Sequence, residues 1–183
     1  MMPQEEDTIL DPAMDLTRDM DFVKGSKGIS YWFSTIKDIP KELFRKHVRG
    51  KLFLDIGCGD GRILALAMIC GAKRFHGVEI DGKFIQGSSM QRHIKNCDFR
   101  QVDISQYNCI YYFLGSVEKT PPEGTGEPEL VEYLKNFRGD LIIYYRKVAH
   151  RLQKLHDNLI SEGFAEIDNS EYIRVYRRGQ NGS

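Results

Sequence analysis

The apolar positions of this chain fall into short blocks with two different periods. Leu52-Phe53-Leu54-Asp55-Ile56 is nearly continuous and ends at an acid, as expected of a strand buried on both faces. Residues 74–79, closing on Gly77-Val78-Glu79, predict a second strand. Residues 98–104, ending in Asp103-Ile104, predict a third. The aromatic run Tyr111-Tyr112-Phe113-Leu114 within 107–116 predicts a central fourth strand, and Leu141-Ile142-Ile143-Tyr144-Tyr145 a fifth. Helical spacing occupies the intervals. One helix opens at Pro40 with Leu43, Phe44 and Val48 on its apolar side, and its His47 reads as solvated. Others are expected over 60–69, over 82–95 behind a capping Asp81, over 128–137, and over 148–162 up to Gly163. Residues 164–168 and 172–177 alternate as a terminal hairpin does. The resulting order, βαβαβ–β–αβ–αββ, is that of an open, doubly wound α/β sheet, mostly parallel.

Charge narrows the reading only slightly. Lys plus Arg and Asp plus Glu are 26 each in 183 residues, so net charge indicates neither nucleic acid nor a membrane surface. No apolar run approaches the length of a membrane span, and the acidic N-terminus lacks the order of a signal peptide. Cys58, Cys70, Cys97 and Cys109 form no C-x-x-C pair, so reduced thiols in a cytoplasmic protein are expected, with no metal site assigned. Residues 1–36 read as an N-terminal arm, with Tyr31-Trp32-Phe33 as a possible lid, residues 37–178 as one domain, and 179–183 as a tail. His150, Arg151, Lys154 and Asn158 suggest a solvated basic stripe on the last helix.

The chemistry concentrates where the first strand meets the first crossover helix. Asp55-Ile56-Gly57-Cys58-Gly59-Asp60-Gly61 places an acid before three glycines at alternate positions. Such a strand–loop–helix corner presents free backbone N–H groups to a ligand. The dinucleotide pattern G-x-G-x-x-G fails, because its third glycine falls on Arg62. An acid at Asp55 would repel a pyrophosphate and suits a ligand that carries an ammonium group. Glu79 lies at the end of the second strand, about twenty residues on, where a carboxylate can accept ribose hydroxyls.

The D-x-G-x-G-x-G run, with Glu79 and Asp103 behind it, resembles the class I S-adenosylmethionine (SAM)-dependent methyltransferases. That resemblance implies a seven-stranded sheet with a C-terminal antiparallel hairpin, and SAM as cofactor. It implies a cofactor site made of Asp55, Gly57, Cys58, Gly59, Gly61, Glu79, Ile80, Asp103, Ile104 and Phe113. Asp103 would bind the adenine amino group, with Ile80 and Ile104 on the ring. Tyr31, Trp32, Gly115, Ser116 and Tyr145 would border the acceptor. Leu54 to Ile63 and Gly77-Val78-Glu79-Ile80-Asp81 resemble the small archaeal and Dot1-like protein lysine methyltransferases in particular.

The end of the fourth strand reads Phe113-Leu114-Gly115-Ser116, not the N-P-P-Y-like motif of base and glutamine N-methylation. The loop 118–129, with its prolines and glycines, reads as facing the substrate. The expectation is methyl transfer to a protein lysine, with no catalytic residue assigned. The alternatives are a metabolite or RNA acceptor, and a non-catalytic SAM- or nucleotide-binding module.

Overall fold

Parallel strands with near-continuous apolar blocks require cover on both faces, and helices supply it. A computed structural model describes residues 22–24, 30–32, 36–115, 127–146 and 149–179. Phe22–Lys24 (β1) and Ser30–Trp32 (β2) pair antiparallel. Leu52–Ile56 (β3), Arg74–Glu79 (β4), Ile94–Asn96 (β5), Cys109–Leu114 (β6), Asp140–Tyr145 (β7), Phe164–Asn169 (β8) and Ile173–Arg178 (β9) form the main sheet. Its order is β5-β4-β3-β6-β7-β9-β8. The first five of these strands are mutually parallel, and β9 runs antiparallel to both β7 and β8. The helices are Lys41–Val48 (α1), Arg62–Ile69 (α2), Gly82–Ile85 (α3), Glu127–Tyr133 (α4) and Ala149–Ser161 (α5). From β3 the chain moves first to one side and then, at β6, to the other. That reversal opens a crevice at the carboxyl ends of β3 and β6.

Two cores follow from the twofold period of the strands. Phe53, Tyr111, Ile142, Tyr144 and Val175 face one side, under Phe44 and Val48 of α1 and Ile63 and Leu66 of α2. Leu54, Ile110, Leu114, Ile143 and Tyr176 face the other, with Leu130 of α4 and Leu155 and Leu159 of α5. None of the described helices is long and apolar enough to cross a membrane.

Four expectations need correction. The helix over 82–95 is a single turn, α3, because Gly87 takes φ 77° and the Ser88 hydroxyl accepts from Met90 N at 3.0 Å, bending the chain away. The third strand is Ile94–Asn96, not 98–104; Phe99–Gln101 and Ile104–Gln106 are 3-10 turns instead. His47 is only 4 % exposed. Its Nδ1 lies 2.9 Å from Asp140 Oδ2 and its Nε2 3.0 Å from Asp168 Oδ2, which ties α1 to β7 and β8. Arg151 is not simply solvated: its guanidinium binds the Glu127 carboxylate and donates to the Gly115 carbonyl.

Residues 1–21, the loop 116–126 and the end 180–183 lie outside the described residues. So do the side chains of Tyr31 and Trp32, whose backbone belongs to β2.

Candidate functional site

Strand β3 carries Asp55 to the carboxyl edge of the sheet, and the chain turns there through glycines in left-handed conformation. Gly57 has φ 72°, Gly59 φ 55° and Gly61 φ 80°. A side chain at any of the three would strain the turn. Gly57 N and Cys58 N both donate to Val78 O, at 2.8 and 3.0 Å, which stitches the loop to β4. Space then divides the glycines by role. Nothing lies within 4 Å of where a Gly57 Cβ would stand, whereas a Gly61 Cβ would come 2.7 Å from Met90 Cβ. Gly57 faces open space and Gly61 faces packing. Asp60 accepts from Arg62 N at 3.1 Å and pairs with the Arg62 guanidinium at 2.7 Å, which occupies this arginine at the head of α2.

Asp55 is 2 % exposed, and its Oδ2 has no hydrogen-bond partner. Burial, then the nearby charges of Glu79 and Asp60, push its carboxyl well above the usual range. A buried polar atom without a partner is costly and calls for a donor. Glu79 is differently placed. Its Oε2 accepts from Gly59 N and its Oε1 from Asp81 N, both at 2.9 Å. Burial raises its pKa, while the backbone N–H groups of Asp81, Gly59 and Ile80 pull it down. Each oxygen keeps a second lone pair, so the carboxylate locks the glycine loop and can still accept from a ligand. Asp81 caps α3 by accepting from Lys83 N at 3.1 Å, as its position before the helix predicts. Ile80 is 55 % exposed beside these buried acids, an apolar platform at the carboxyl end of β4.

The remaining sequence-derived positions fall less uniformly. Cys58 points down into the sheet: a Gly77 Cβ would meet its Sγ at 2.5 Å, and burial pushes its thiol far up. Asp103 is exposed and caps the 3-10 turn after it, accepting from Ser105 N at 2.9 Å. Ile104 is half-buried against the second core. Asp98, missed in the sequence, stands two residues beyond β5, where the acid of a third strand would be. Its carboxylate pairs with Arg100 at 2.5 Å, and that bond holds it below the usual range. Residues 93–96 read His-Ile-Lys-Asn, too polar for an edge strand to show.

At the end of β6, Phe113 is half-buried, with its ring 5.3 Å from that of Tyr144. Tyr145 projects to the opposite face, where its hydroxyl donates to Glu171 O at 2.7 Å. Tyr144, one residue earlier, is therefore the tyrosine beside Phe113. It is fully buried with no hydrogen-bond partner for its hydroxyl, and burial raises its pKa to about 12. Gly115 is described, with its carbonyl held by Arg151. Ser116 lies outside the described residues.

No protein-family model matches the chain, and no curated protein does. Solved structures match it in shape. Magnesium protoporphyrin IX methyltransferase of Synechocystis, with SAM bound, is 19 % identical with a TM-score of 0.54, covering 75 % of this chain and 74 % of its own. The Mtq2–Trm112 complex of E. cuniculi, responsible for methylating the termination factor eRF1, is 14 % identical at TM-score 0.57, covering 75 % and 90 %. A ribosomal protein L11 methylase of Lactobacillus delbrueckii subsp. bulgaricus is 14 % identical at 0.53, covering 76 % and 77 %. The seven-stranded sheet with its antiparallel C-terminal hairpin is the class I methyltransferase fold.

Proposed function

We propose that the chain is a SAM-dependent methyltransferase that binds its cofactor at the carboxyl ends of β3 and β4. The observation that carries this reading is the buried Asp55 carboxylate, with an oxygen lacking a partner beside a left-handed Gly57 that faces open space. A cationic amine answers that oxygen, and a pyrophosphate does not. Glu79 has the lone pairs to accept ribose hydroxyls, and the exposed Ile80 suits an adenine face. For the acid beyond the third strand, Asp98 is better situated than Asp103, which stands seven residues past the end of β5. Bound SAM would supply an electrophilic methyl on sulfur. This chain's residues would bind and orient the cofactor and present the acceptor's lone pair in line.

For the acceptor we infer an amine, with a protein lysine as the first case. Support comes from the motif resemblance to Dot1-like enzymes and from the aromatic border of Phe113, Tyr144 and Tyr172. An apolar border disfavours the ammonium form and leaves the lone pair free. The test is transfer of a labelled methyl group from SAM to protein, RNA and small-molecule fractions, with Asp55→Asn as control. Label recovered as methyl-lysine supports the reading, and label confined to RNA or metabolites moves the acceptor. SAM binding without transfer to any fraction leaves a non-catalytic SAM-binding module.

A further inference from the structure

Equal numbers of acids and bases hide a separation of charge. No acid occurs in residues 43–54, 61–78 or 82–97. The fold brings five cations of these stretches, Arg49, Lys51, Lys73, Arg74 and Lys95, to the amino ends of β3 and β4 and onto β5. Gly50 N donates to Gly71 O, and Lys73 N to Lys51 O, both at 2.8 Å, so the two basic turns are joined backbone to backbone. Arg49, Lys73, Arg74 and Lys95 are exposed and Lys51 is half-exposed. Among the described residues no carboxylate pairs with any of the five. The acids at the margin are engaged: Asp98 by Arg100, and Asp103 by Ser105.

The same surface carries rings. Arg74 and His76 share one face of β4, and Lys95 pairs with Val78 on that face of β5. His76 is exposed, and its ring meets Tyr107 edge-on at 6.0 Å, with Tyr107 Oη 3.3 Å from Nδ1. The β5–β6 connection covers this face only with 3-10 turns and not with an α-helix, which leaves Arg74, His76 and Lys95 open to solvent. Adjacent strands are about 4.8 Å apart and residues rise about 3.3 Å along a strand, so Arg74 and Lys95, one strand and four residues apart, stand about 14 Å from each other beside the ring pair.

We propose that this surface docks single-stranded nucleic acid, its phosphates on Arg49, Lys51, Lys73, Arg74 and Lys95 and a base against His76 and Tyr107. Unpaired cations track a phosphodiester backbone, and exposed rings stack bases of any sequence. An acidic polypeptide would use the cations and leave the rings idle, which is why nucleic acid is the favoured occupant. Arg49, Lys51, Lys73 and Arg74 lie at the opposite end of β3 and β4 from Asp55 and Glu79, whereas Lys95, paired with Val78, approaches Glu79; the proposal does not depend on the SAM reading.

The test is fluorescence anisotropy with labelled oligouridylate and oligothymidylate of about 12 nucleotides. Saturable binding is expected, weakening with salt at a log–log slope of about −3.5 if all five cations engage. Replacing Lys51, Lys73 and Arg74 together by Glu should cut affinity at least tenfold and make the slope shallower by about 2. A neutralised pair, Arg74→Gln with Lys95→Gln, should act in the same direction should the reversals impair folding. Tyr107→Leu should weaken binding several-fold with an unchanged slope. A thermal shift with S-adenosylhomocysteine, measured on the same samples, separates failure of this surface from failure of the cofactor site. Preference for the uridylate over the thymidylate would assign the surface to RNA, and the reverse to DNA. The proposal is overturned by three results: no saturable binding at about 50 mM salt, the neutralised pair binding as wild type does, or polyglutamate displacing the oligonucleotides fully while Tyr107→Leu is silent.

Discussion

Asp55→Asn should make the free protein more stable and its cofactor complex weaker. The carboxylate is 2 % exposed, one oxygen has no partner, and Glu79 and Asp60 add repulsion. Burial raises the folded-state pKa above that of the unfolded chain. The native state therefore keeps a proton that the unfolded chain releases, and stability falls as pH rises from about 4 towards the folded value. An amide of the same shape has no charge to bury. A buried charge costs more to leave unsatisfied than a neutral amide, whose own penalty is about 1–3 kcal/mol, so near pH 8 the variant should gain on the order of 1–3 kcal/mol. At about 2–4 °C per kcal/mol for a chain of this size, the unfolding midpoint should rise by several degrees. Near pH 4 the gain should vanish. A bond from a cationic amine to the carboxylate contributes about 1.5–3 kcal/mol, so SAM should bind the variant about ten- to a hundredfold more weakly. Thermal unfolding at both pH values, with calorimetric titration of SAM, measures both effects. A variant that is less stable at pH 8 and binds SAM unchanged would refute the reasoning.

Glu79→Gln should weaken SAM about tenfold and also loosen the glycine loop, since an amide cannot accept from both Gly59 N and Asp81 N; calorimetry and urea unfolding report the two losses. His47→Gln should destabilise by about 3–5 kcal/mol where the buried ion pair is complete. The Asp140 bond first, then Asp168, raises the pKa of His47 against burial, while Lys46 and His47 hold Asp168 at about 2. The latch is whole between about pH 4 and 6.5, is lost as pH rises through the raised histidine value, and fails in acid towards 2. The difference in unfolding midpoint should accordingly be largest at about pH 5–6 and shrink above. Gly77→Ala should cost about 1–3 kcal/mol through contact with Cys58, and Cys58→Gly in the same chain should restore part of the loss in thermal unfolding.

The elements legible in the sequence were those buried on both faces. Strands β3, β6 and β7 are apolar almost throughout, so their position does not depend on reading a face. Strand β5 is an edge strand with Lys95 and Asn96 exposed, and its sequence gives no apolar run to follow. Reading the third strand over 98–104 places its closing acid at Asp103, whereas the acid two residues beyond the observed strand is Asp98. The ring beside Phe113 is that of Tyr144 and not of the expected Tyr145, because side chains alternate along a strand and one residue changes the face. The glycine loop was legible because unusual backbone angles demand glycine locally. The bond from Gly59 N to Glu79 was not, since it joins groups 20 residues apart. Nor was the His47 latch, whose carboxylates lie 93 and 121 residues away. Local pattern reveals elements and turns; it does not reveal which distant charges they bring together.

The proposed SAM site consists of Asp55, the left-handed glycine loop and Glu79. Calorimetric titration of the full chain with S-adenosylhomocysteine and, separately, with NAD tests it most directly. One-site binding of S-adenosylhomocysteine is expected, weakened in Asp55→Asn and Glu79→Gln, with no heat from NAD. Binding of NAD with none of S-adenosylhomocysteine would contradict it.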